Sequence, residues 1–261
     1  MENVITGFHS IEEKVKASQK NKNLSQLKIF YNKTGPRVKK ILDAAKENNI
    51  PVFNVDEKKL DELVKNLDIS LQDHRGIVMT FSKDDEKSFA GTNIVDFDLW
   101  LLQNSNSNEK KIVVILDKIT DPHNVGAIIR SCDQFGVNLV ILPEHNSVSS
   151  VCCNEIVGRT SAGANSWVPV SIVNNLVNVA EKLKAAGFWV YGADAGGETL
   201  RKIDFSDKTC LIMGSEGAGI SKLLQQKCDA TVSIPTCGKI DSLNVSVAAG
   251  ILLYEIFARQ N

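Results

Sequence analysis

Three loops of this 261-residue sequence combine polar side chains with glycines where an apolar segment gives way to a helical pattern. The first, DKITDPHNVGAIIRSCDQFG, presents Asn124 and Arg130 outside the apolar stripe of its predicted helix. The second, CLIMGSEGAGIS, holds Glu216 among three glycines, and the third, IPTCGKIDSLNVSVAAGILLYE, holds Ser242 and Asn244. An arginine fork can hold a phosphate or a ribose, and glycines let backbone approach a bulky ligand. Each loop also has a purely structural interpretation: a surface salt bridge, a tight turn and a capped helix, respectively.

The residue types in these loops indicate catalysis by positioning. No nucleophile is paired with a base, since the serine of GRTSAG at residues 158–163 is one position out of register for a nucleophile elbow. The glycine loop has the spacing G-x-x-G-x-G, which matches neither a dinucleotide-binding fingerprint nor a P-loop. The six cysteines contain no C-x-x-C pair and the four histidines no H-x-x-x-H pair, so no metal site is expected. A reaction that uses an activated donor and mainly needs placement fits this set.

Strands and helices alternate in the part of the chain that carries these loops, residues 107–261. Its strands, such as KIVVILDKI and NLVILP, are continuously apolar, which is typical of a parallel sheet covered by helices on both faces. Ligands of such open sheets bind where strands end and helices begin, as all three loops do. We therefore predict an α/β fold with a mostly parallel sheet.

The final helix is predicted to begin inside the third loop. Asp241 or Ser242 is placed to cap its first turn. Four apolar residues recur at near-3.6 spacing and predict the face buried in the core: Leu243, Val247, Ile251 and Tyr254.

The N-terminal part, residues 1–83, reads as a small α/β unit of its own, and residues 84–106 read as a polar linker with a short helix. The net charge of the chain is −1, but residues 1–83 hold 15 basic and 11 acidic residues. Between Lys14 and Lys46 ten basic residues face one acidic residue, Asp43. A solvated helix face explains such a basic run about as well as a binding partner does. A surface that contacts a phosphate backbone, however, requires a basic run of this kind. We therefore favour nucleic acid as the partner.

Composition limits where the chain works and what it binds. Only 6% of the residues are aromatic, too few for a base-stacking platform. No apolar run is long enough to span a membrane, and the N-terminus does not read as a signal peptide. The scattered cysteines suit small core positions in a reducing compartment. These features predict a cytoplasmic protein.

The motifs DPHNVGAIIR, MGSEGAGIS and IPTCGKIDSLNVSVAAGILLYE, in this order and spacing, resemble those of the SPOUT superfamily. The likeness is to its SpoU (TrmH-like) branch of RNA ribose 2′-O-methyltransferases, and most of all to the RlmB-type enzymes that act on a guanosine of 23S ribosomal RNA. GFHSIEE and DHRGIVM resemble the ribosomal-protein-like substrate-binding domain of the ribosomal-RNA members, with Arg75 where that family usually has Gln. The resemblance covers nearly the whole chain.

The resemblance implies a catalytic domain with a deep trefoil knot, a feature that periodicity cannot predict. It implies S-adenosylmethionine as cofactor, held by Met213, Gly214, Gly217, Ile234 and Leu243. It also implies a catalytic set at a homodimer interface, composed of Asn124, Arg130, Glu216, Ser242 and Asn244.

The same resemblance implies RNA as substrate. With the basic run, it makes the expected RNA contacts Lys33, Arg37, Lys39, Lys40 and Arg130. Our hypothesis is that Arg130 clamps a phosphate and stabilises the developing alkoxide while Asn124 and Ser242 orient the hydroxyl. Transfer RNA is an alternative substrate. A non-catalytic RNA-binding protein and a nucleotide-dependent dehydrogenase are alternatives of other classes, and the missing fingerprint disfavours the dehydrogenase.

Overall fold

The computed structural model describes residues 2–18, 27–67, 69–82, 93–105, 109–148, 151, 154–240 and 242–260. These residues fall into two compact units, Met1–Asn93 with Ser150–Trp167, and Ile94–Ser149 with Val168–Asn261. Part of the predicted linker, residues 84–92 and 106, lies outside the described residues, as do Cys152, Cys153 and Asp241. The boundaries drawn at 83 and 107 stay a prediction.

The described strands are β1 (Glu2–Thr6), β2 (Lys28–Tyr31), β3 (Val52–Asn54), β4 (Ile77–Ser82), β5 (Lys111–Asp117), β6 (Leu139–Pro143), β7 (Val170–Val173), β8 (Trp189–Thr199), β9 (Lys208–Gly214) and β10 (Ala230–Ser233). The described α-helices are α1 (Phe8–Ser18), α2 (Pro36–Glu47), α3 (Glu57–Val64), α4 (Phe97–Asn104), α5 (Pro122–Gln134), α6 (Glu155–Thr160), α7 (Leu176–Ala185), α8 (Lys222–Gln225) and α9 (Val245–Gln260).

The first unit is built on a four-stranded sheet in the order β1-β4-β2-β3. Strand β4 pairs antiparallel with both β1 and β2, whereas β2 and β3 are parallel. The sequence pattern begins with a helix, so it misses β1, a five-residue strand with only two large apolar residues. The core under α1 and α2 is formed by fully buried side chains that include Ile11, Val15, Ile29, Ile41 and Met79.

Helix α6 packs within the first unit although its sequence lies between β6 and β7. The hydroxyl of Ser10 in α1 donates to the carbonyl of Gly158 at 2.9 Å. A Cβ on Gly163 would lie 2.9 Å from Cβ of Glu13, so the turn after α6 meets α1 closely. A segment of the predicted catalytic region therefore completes the N-terminal unit.

An ion pair between α1 and α2 gives a stability prediction. Lys40 Nζ lies 2.9 Å from Oε1 of Glu12, and this contact, the largest cause, lowers the pKa of the Glu12 carboxyl from its ordinary value of 4.5. Because the Glu12 pKa is lower in the folded chain than in the unfolded chain, ionised Glu12 stabilises the fold at any pH above its unfolded pKa. This contribution is lost as the pH falls through the folded pKa. We expect Lys40→Ala to lower the free energy of unfolding in urea at pH 7, with the deficit shrinking in acid. Lys39→Ala, which changes an exposed lysine, is the control, and a deficit independent of pH would contradict the assignment.

The second unit contains a six-stranded sheet in the order β10-β8-β9-β5-β6-β7. All its neighbouring strands pair in parallel, so the predicted parallel sheet is confirmed. Val113 and Ile115 of β5 pack with α4 and α7 on one face. Helix α9 contacts β9 and α5. The trefoil knot stays a prediction.

Two of the cysteines in this unit are core residues, as expected. Cys132 on α5 and Cys210 on β9 are fully buried, and burial raises the pKa of both thiols. A buried neutral thiol is unreactive, so both act as small apolar side chains. Cys228 is half-buried and Cys237 is exposed.

The predicted orientation of the final helix is wrong. Helix α9 begins at Val245, and the predicted core residues are exposed: Leu243 by 37%, Val247 by 50%, Ile251 by 37% and Tyr254 by 58%. The buried face is formed by Val245, Ala249, Leu252, Leu253 and Ile256. Because both faces are apolar, periodicity alone cannot choose between them. An exposed apolar stripe of this kind is typical of a protein interface.

No helix among the described residues is both long and apolar enough to cross a bilayer.

Candidate active site

Two of the three loops arise from neighbouring strands at the same edge of the sheet. Strands β5 and β9 are parallel and in register, with Asp117 opposite Gly214 at their carboxyl ends. Past β5, the carboxylate of Asp121 accepts from the His123 N–H at 2.9 Å and caps α5, with Pro122 as its first residue. The first turn of α5 and the glycine loop after β9 therefore lie side by side.

Three predicted residues form one hydrogen-bonded group, which we term the Asn–Glu–Asn cluster: Asn124, Glu216 and Asn244. The amide of Asn124 donates to Oε1 of Glu216 at 3.2 Å. The amide of Asn244 donates to the same carboxylate oxygen and to Oδ1 of Asn124, both at 2.9 Å. One residue from each motif contributes, so the cluster joins the three loops that the sequence places far apart.

Asn244 also caps α9. Its Oδ1 accepts from the N–H groups of Ser246 at 2.9 Å and Val247 at 3.3 Å, and from the Ser246 hydroxyl at 2.6 Å. The predicted caps were Asp241, which lies outside the described residues, and Ser242, which lies three residues before the helix starts. Because the oxygen of Asn244 is bound to the helix, its nitrogen is turned toward the cluster.

The two roles of Asn244 can be separated by substitution. Asn244→Ala removes the cap and both donor bonds, so we expect the free energy of unfolding to fall by about 1 kcal/mol or more. Asn244→Ser keeps a capping oxygen and loses the donors to Glu216 and Asn124, so it should recover most of the loss. Urea denaturation at equal protein concentration measures both, and an alanine variant as stable as the wild type would contradict the capping role.

The glycine loop is held in a tight turn. Ser215 and Gly219 exchange backbone hydrogen bonds of 3.2 and 2.9 Å, and Gly217 between them has φ of +80°. A Cβ on Gly214 would lie 2.2 Å from the carbonyl carbon of Gly219, so only glycine fits there. The preceding Met213 is buried. This turn presents backbone, with no side chain at its glycines, to whatever occupies the edge of the sheet.

Two carboxylates near this turn were not singled out from the sequence. Asp117, buried at the end of β5, accepts from the Ser221 N–H at 2.7 Å and so ties the far end of the loop to the sheet. Asp194 accepts from the Gly196 N–H at 2.8 Å, and its other oxygen lies 3.9 Å from the position that a Cβ on Gly219 would take. An aspartate that ends an apolar strand, as in KIVVILD, was the available signal for the first.

Arg130 and Ser242 are not part of the cluster. Arg130 lies on α5 beyond Asn124, is exposed, and makes no hydrogen bond or ion pair with any residue that the structure describes. Ser242 is also exposed, in the loop before α9. Of the remaining predicted cofactor residues, Ile234 is half-buried and Leu243 is exposed. A free guanidinium and a free hydroxyl are therefore available to a ligand or a second chain.

The predicted RNA contacts of the first unit differ in availability. Lys33 and Lys39 are exposed. Arg37 contacts the His9 ring at 2.6 and 2.9 Å, and Lys40 is paired with Glu12. The described part of the chain contains no group of three His, Cys, Asp or Glu side chains that could hold a metal ion.

Family profiles match two segments of the chain. Residues 111–254 match the SpoU rRNA Methylase family, and residues 4–86 match a domain described as RNA 2′-O ribose methyltransferase substrate binding. The Asn–Glu–Asn cluster lies within the first segment, and Lys33 and Lys39 lie within the second.

Whole-length relatives agree with these matches. An uncharacterized tRNA/rRNA methyltransferase of Borreliella burgdorferi is 39% identical over 90% of this chain and 99% of its own. The SpoU methyltransferase AviRb of Streptomyces viridochromogenes, in complex with AdoMet, has a TM-score of 0.71 at 23% identity and covers 99% of this chain and 90% of its own. An AdoMet-bound rRNA methyltransferase of Sinorhizobium meliloti has a TM-score of 0.70 at 23% identity, over 98% of this chain and 86% of its own. The two structures share the fold of this chain.

Proposed function

The chain belongs to the SpoU rRNA methylase family of RNA ribose methyltransferases, and we propose that it methylates the ribose 2′-oxygen of a guanosine in large-subunit ribosomal RNA. The observation that carries this proposal is the Asn–Glu–Asn cluster beside a glycine turn at the carboxyl edge of a parallel sheet. That arrangement offers polar side chains for a sugar and bare backbone for a bulky donor. An enzyme of this kind would act in the cytoplasm.

S-adenosylmethionine is the proposed donor, and the turn after β9 fits it. Gly214 meets the backbone of Gly219 so closely that a side chain there is impossible, and the turn would offer its bare backbone to the cofactor. The residues that would hold the cofactor are Met213, Gly214, Gly217, Ile234 and Leu243. When bound, it supplies a sulfonium methyl group that is already activated for transfer.

The remaining work is placement and charge stabilisation. A ribose hydroxyl is a weak nucleophile, so it must lie in line with the methyl group and lose one proton. Asn124 and Ser242 would orient the hydroxyl, and Arg130 would hold the neighbouring phosphate and stabilise the developing alkoxide. A guanidinium is not deprotonated in proteins, so Arg130 is assigned a clamp and not a base. Glu216 accepts from both asparagine amides and so keeps them in position.

We propose that the site is completed in a homodimer. The exposed stripe of α9, which includes Val247, Ile251 and Tyr254, starts immediately after the cluster residue Asn244. Burial of this stripe against a second copy would remove apolar surface from water next to the site. In the dimer, the free side chains of Arg130 and Ser242 would then lie beside an Asn–Glu–Asn cluster, either that of their own chain or that of the second copy.

The N-terminal unit supports ribosomal RNA over transfer RNA as the substrate. It matches a substrate-binding domain and carries exposed lysines remote in sequence from the catalytic loops. Such a unit can contact phosphates beyond the reacting nucleotide and so fix the register of a large structured RNA.

Transfer of a labelled methyl group from S-adenosylmethionine to total RNA tests the proposal. The expected result is label in large-subunit ribosomal RNA at one guanosine, found by mapping ribose methylation in cells with and without the gene. Label in transfer RNA would show that transfer RNA is the substrate, and the proposed methyl-transfer chemistry would still hold. Binding of RNA without any transfer would favour a non-catalytic RNA-binding protein.

The basic surface of the first unit gives a separate prediction. Lys39→Glu reverses a charge on an exposed lysine, so RNA affinity should fall by roughly 10-fold at low salt, while binding of S-adenosylhomocysteine stays unchanged. Lys40→Glu is less informative, because it sets a second carboxylate against Glu12. Filter binding and calorimetry measure the two affinities, and loss of both with Lys39→Glu would indicate a damaged fold.

A further inference from the structure

We propose that a pocket in the first unit binds the base and phosphate of one unpaired guanosine of the substrate RNA. The pocket has a volume of about 450 Å³ and is lined by residues that follow β2, begin α3 and precede β4. The four charged lining residues are Lys33, Glu57, Asp73 and Arg75. The inference rests on the proposed function, because it takes RNA as the ligand.

The loop that forms one wall of the pocket is firmly held. The His74 ring is nearly buried, accepts from the Gly76 N–H at 3.0 Å and contacts Asp61 through Nε2 at 3.2 Å. The Asn32 N–H donates to the Gly76 carbonyl at 3.1 Å, which joins this loop to the end of β2. A Cβ on Gly76 would lie 2.7 Å from Oδ1 of Asn32, so the Asn32 side chain packs closely against the backbone of this loop. The pocket is therefore preorganised, as binding sites require.

The same loop holds an arginine in an uncommon conformation. Arg75 has φ of +51°, a left-handed value that a non-glycine residue adopts only where the surroundings enforce it. Such backbone strain clusters at ligand-binding sites. The Arg75 side chain contacts Asp73 at 3.1 Å, and both are more than half exposed, so this pair is weak and can exchange for a ligand phosphate. Lys33 is exposed, with no ion pair to any described residue.

The charges of the pocket match a guanosine nucleotide. Lys33 and Arg75 can bind a phosphate, for which arginine offers two parallel donors. Glu57 and Asp73 are acceptors, and the Watson–Crick edge of guanine carries two adjacent donors, N1–H and N2–H, that one carboxylate can bind together. Adenine and cytosine place a ring acceptor beside their single amino group, which a carboxylate would repel. The volume suits a nucleotide, and unpaired bases are the ones whose edges proteins read in RNA.

Binding of short RNAs to the full-length chain tests the assignment. The probes are two fluorescent ten-nucleotide RNAs without secondary structure, one of adenosine and uridine only and one with a single central guanosine. Fluorescence anisotropy of the wild type should show tighter binding of the guanosine probe. Lys33→Ala should weaken both probes by about 5-fold and lower the salt slope by about one. Glu57→Gln with Asp73→Asn should remove the preference for guanosine and leave binding of the other probe in place.

Lys58→Ala is the matched control, since Lys58 is an exposed lysine beside Glu57 that does not line the pocket. Equal binding of the two probes by the wild type would overturn the assignment, and so would carboxylate variants that keep the preference. Methyl transfer to total RNA is measured with the same proteins. If the pocket variants still methylate RNA and bind it as the wild type does, the pocket assignment alone is overturned. If the wild type neither binds nor methylates RNA, the proposed function is overturned as well.

Discussion

Gly214→Ala is expected to lower the methyl-transfer rate by about 100-fold or more and to weaken S-adenosylhomocysteine binding strongly. The new Cβ would lie 2.2 Å from the Gly219 carbonyl carbon and 2.3 Å from the Ile220 nitrogen. Both are backbone atoms, so the clash can be relieved only by moving the whole turn. A displacement near 1 Å in a positioning site costs about 100-fold in rate. Calorimetry with S-adenosylhomocysteine and single-turnover transfer to RNA measure the two effects.

Gly250→Ala is the matched control for this substitution. Gly250 lies inside α9, where a new Cβ would meet only the Ser131 hydroxyl at 3.5 Å, an ordinary contact. The control should bind and react normally, because alanine favours a helix over glycine by up to about 1 kcal/mol. Thermal unfolding shows whether the Gly214→Ala chain remains folded. A folded Gly214→Ala variant with normal cofactor binding would disprove the role of the turn as the cofactor cradle.

The parallel sheet could be predicted because a strand buried on both faces must be apolar along its whole length. Segments such as KIVVILD therefore carry a strong signal, and the loops after them could be assigned to one edge of the sheet. Only the family resemblance put Asn124 and Glu216 in one catalytic set. In the structure a hydrogen bond of 3.2 Å joins their side chains, while their catalytic roles stay a prediction.

Other features depend on partners that a single segment does not reveal. Helix α9 is apolar on both faces, so its buried side is decided by packing against α5 and β9 and not by its own pattern. The cap of α9 is Asn244, whose position is fixed as much by Glu216, 28 residues earlier, as by the helix. Helix α6 joins the first unit through contacts such as Ser10 with Gly158, across a separation of 148 residues.

Charge counting has a similar limit. The sequence predicts RNA contacts at four cations of the basic run, but the structure divides them. Lys40 is paired with Glu12, and Arg37 lies against the rings of His9 and Phe8. Lys33 and Lys39 are the exposed cations that remain free for a phosphate among the four predicted in this unit. Net charge locates a basic region, while ion pairing decides which of its residues can bind a ligand.

Arg130→Lys is expected to lower kcat by about 100- to 1000-fold while the Kd of S-adenosylhomocysteine stays unchanged. The proposed role needs two donors in one plane, one for the phosphate and one for the developing alkoxide. Lysine keeps the positive charge but offers a single rotating ammonium group, so the geometry of the fork is lost. Removal of one donor to a developing oxyanion typically costs about this factor in rate.

The position of Arg130 makes the result of this substitution interpretable. Ile128 and Ile129, its neighbours on α5, are fully buried, while Arg130 is exposed and unpaired among the described residues, so its exchange should not affect folding. Arg201→Lys, another exposed arginine of the same unit, is the control for a general effect of charge chemistry. Near-normal turnover by Arg130→Lys would refute the clamp, because a point charge would then suffice. A loss of rate that rising pH restores would instead identify a proton-transfer role, which a permanently charged clamp does not predict.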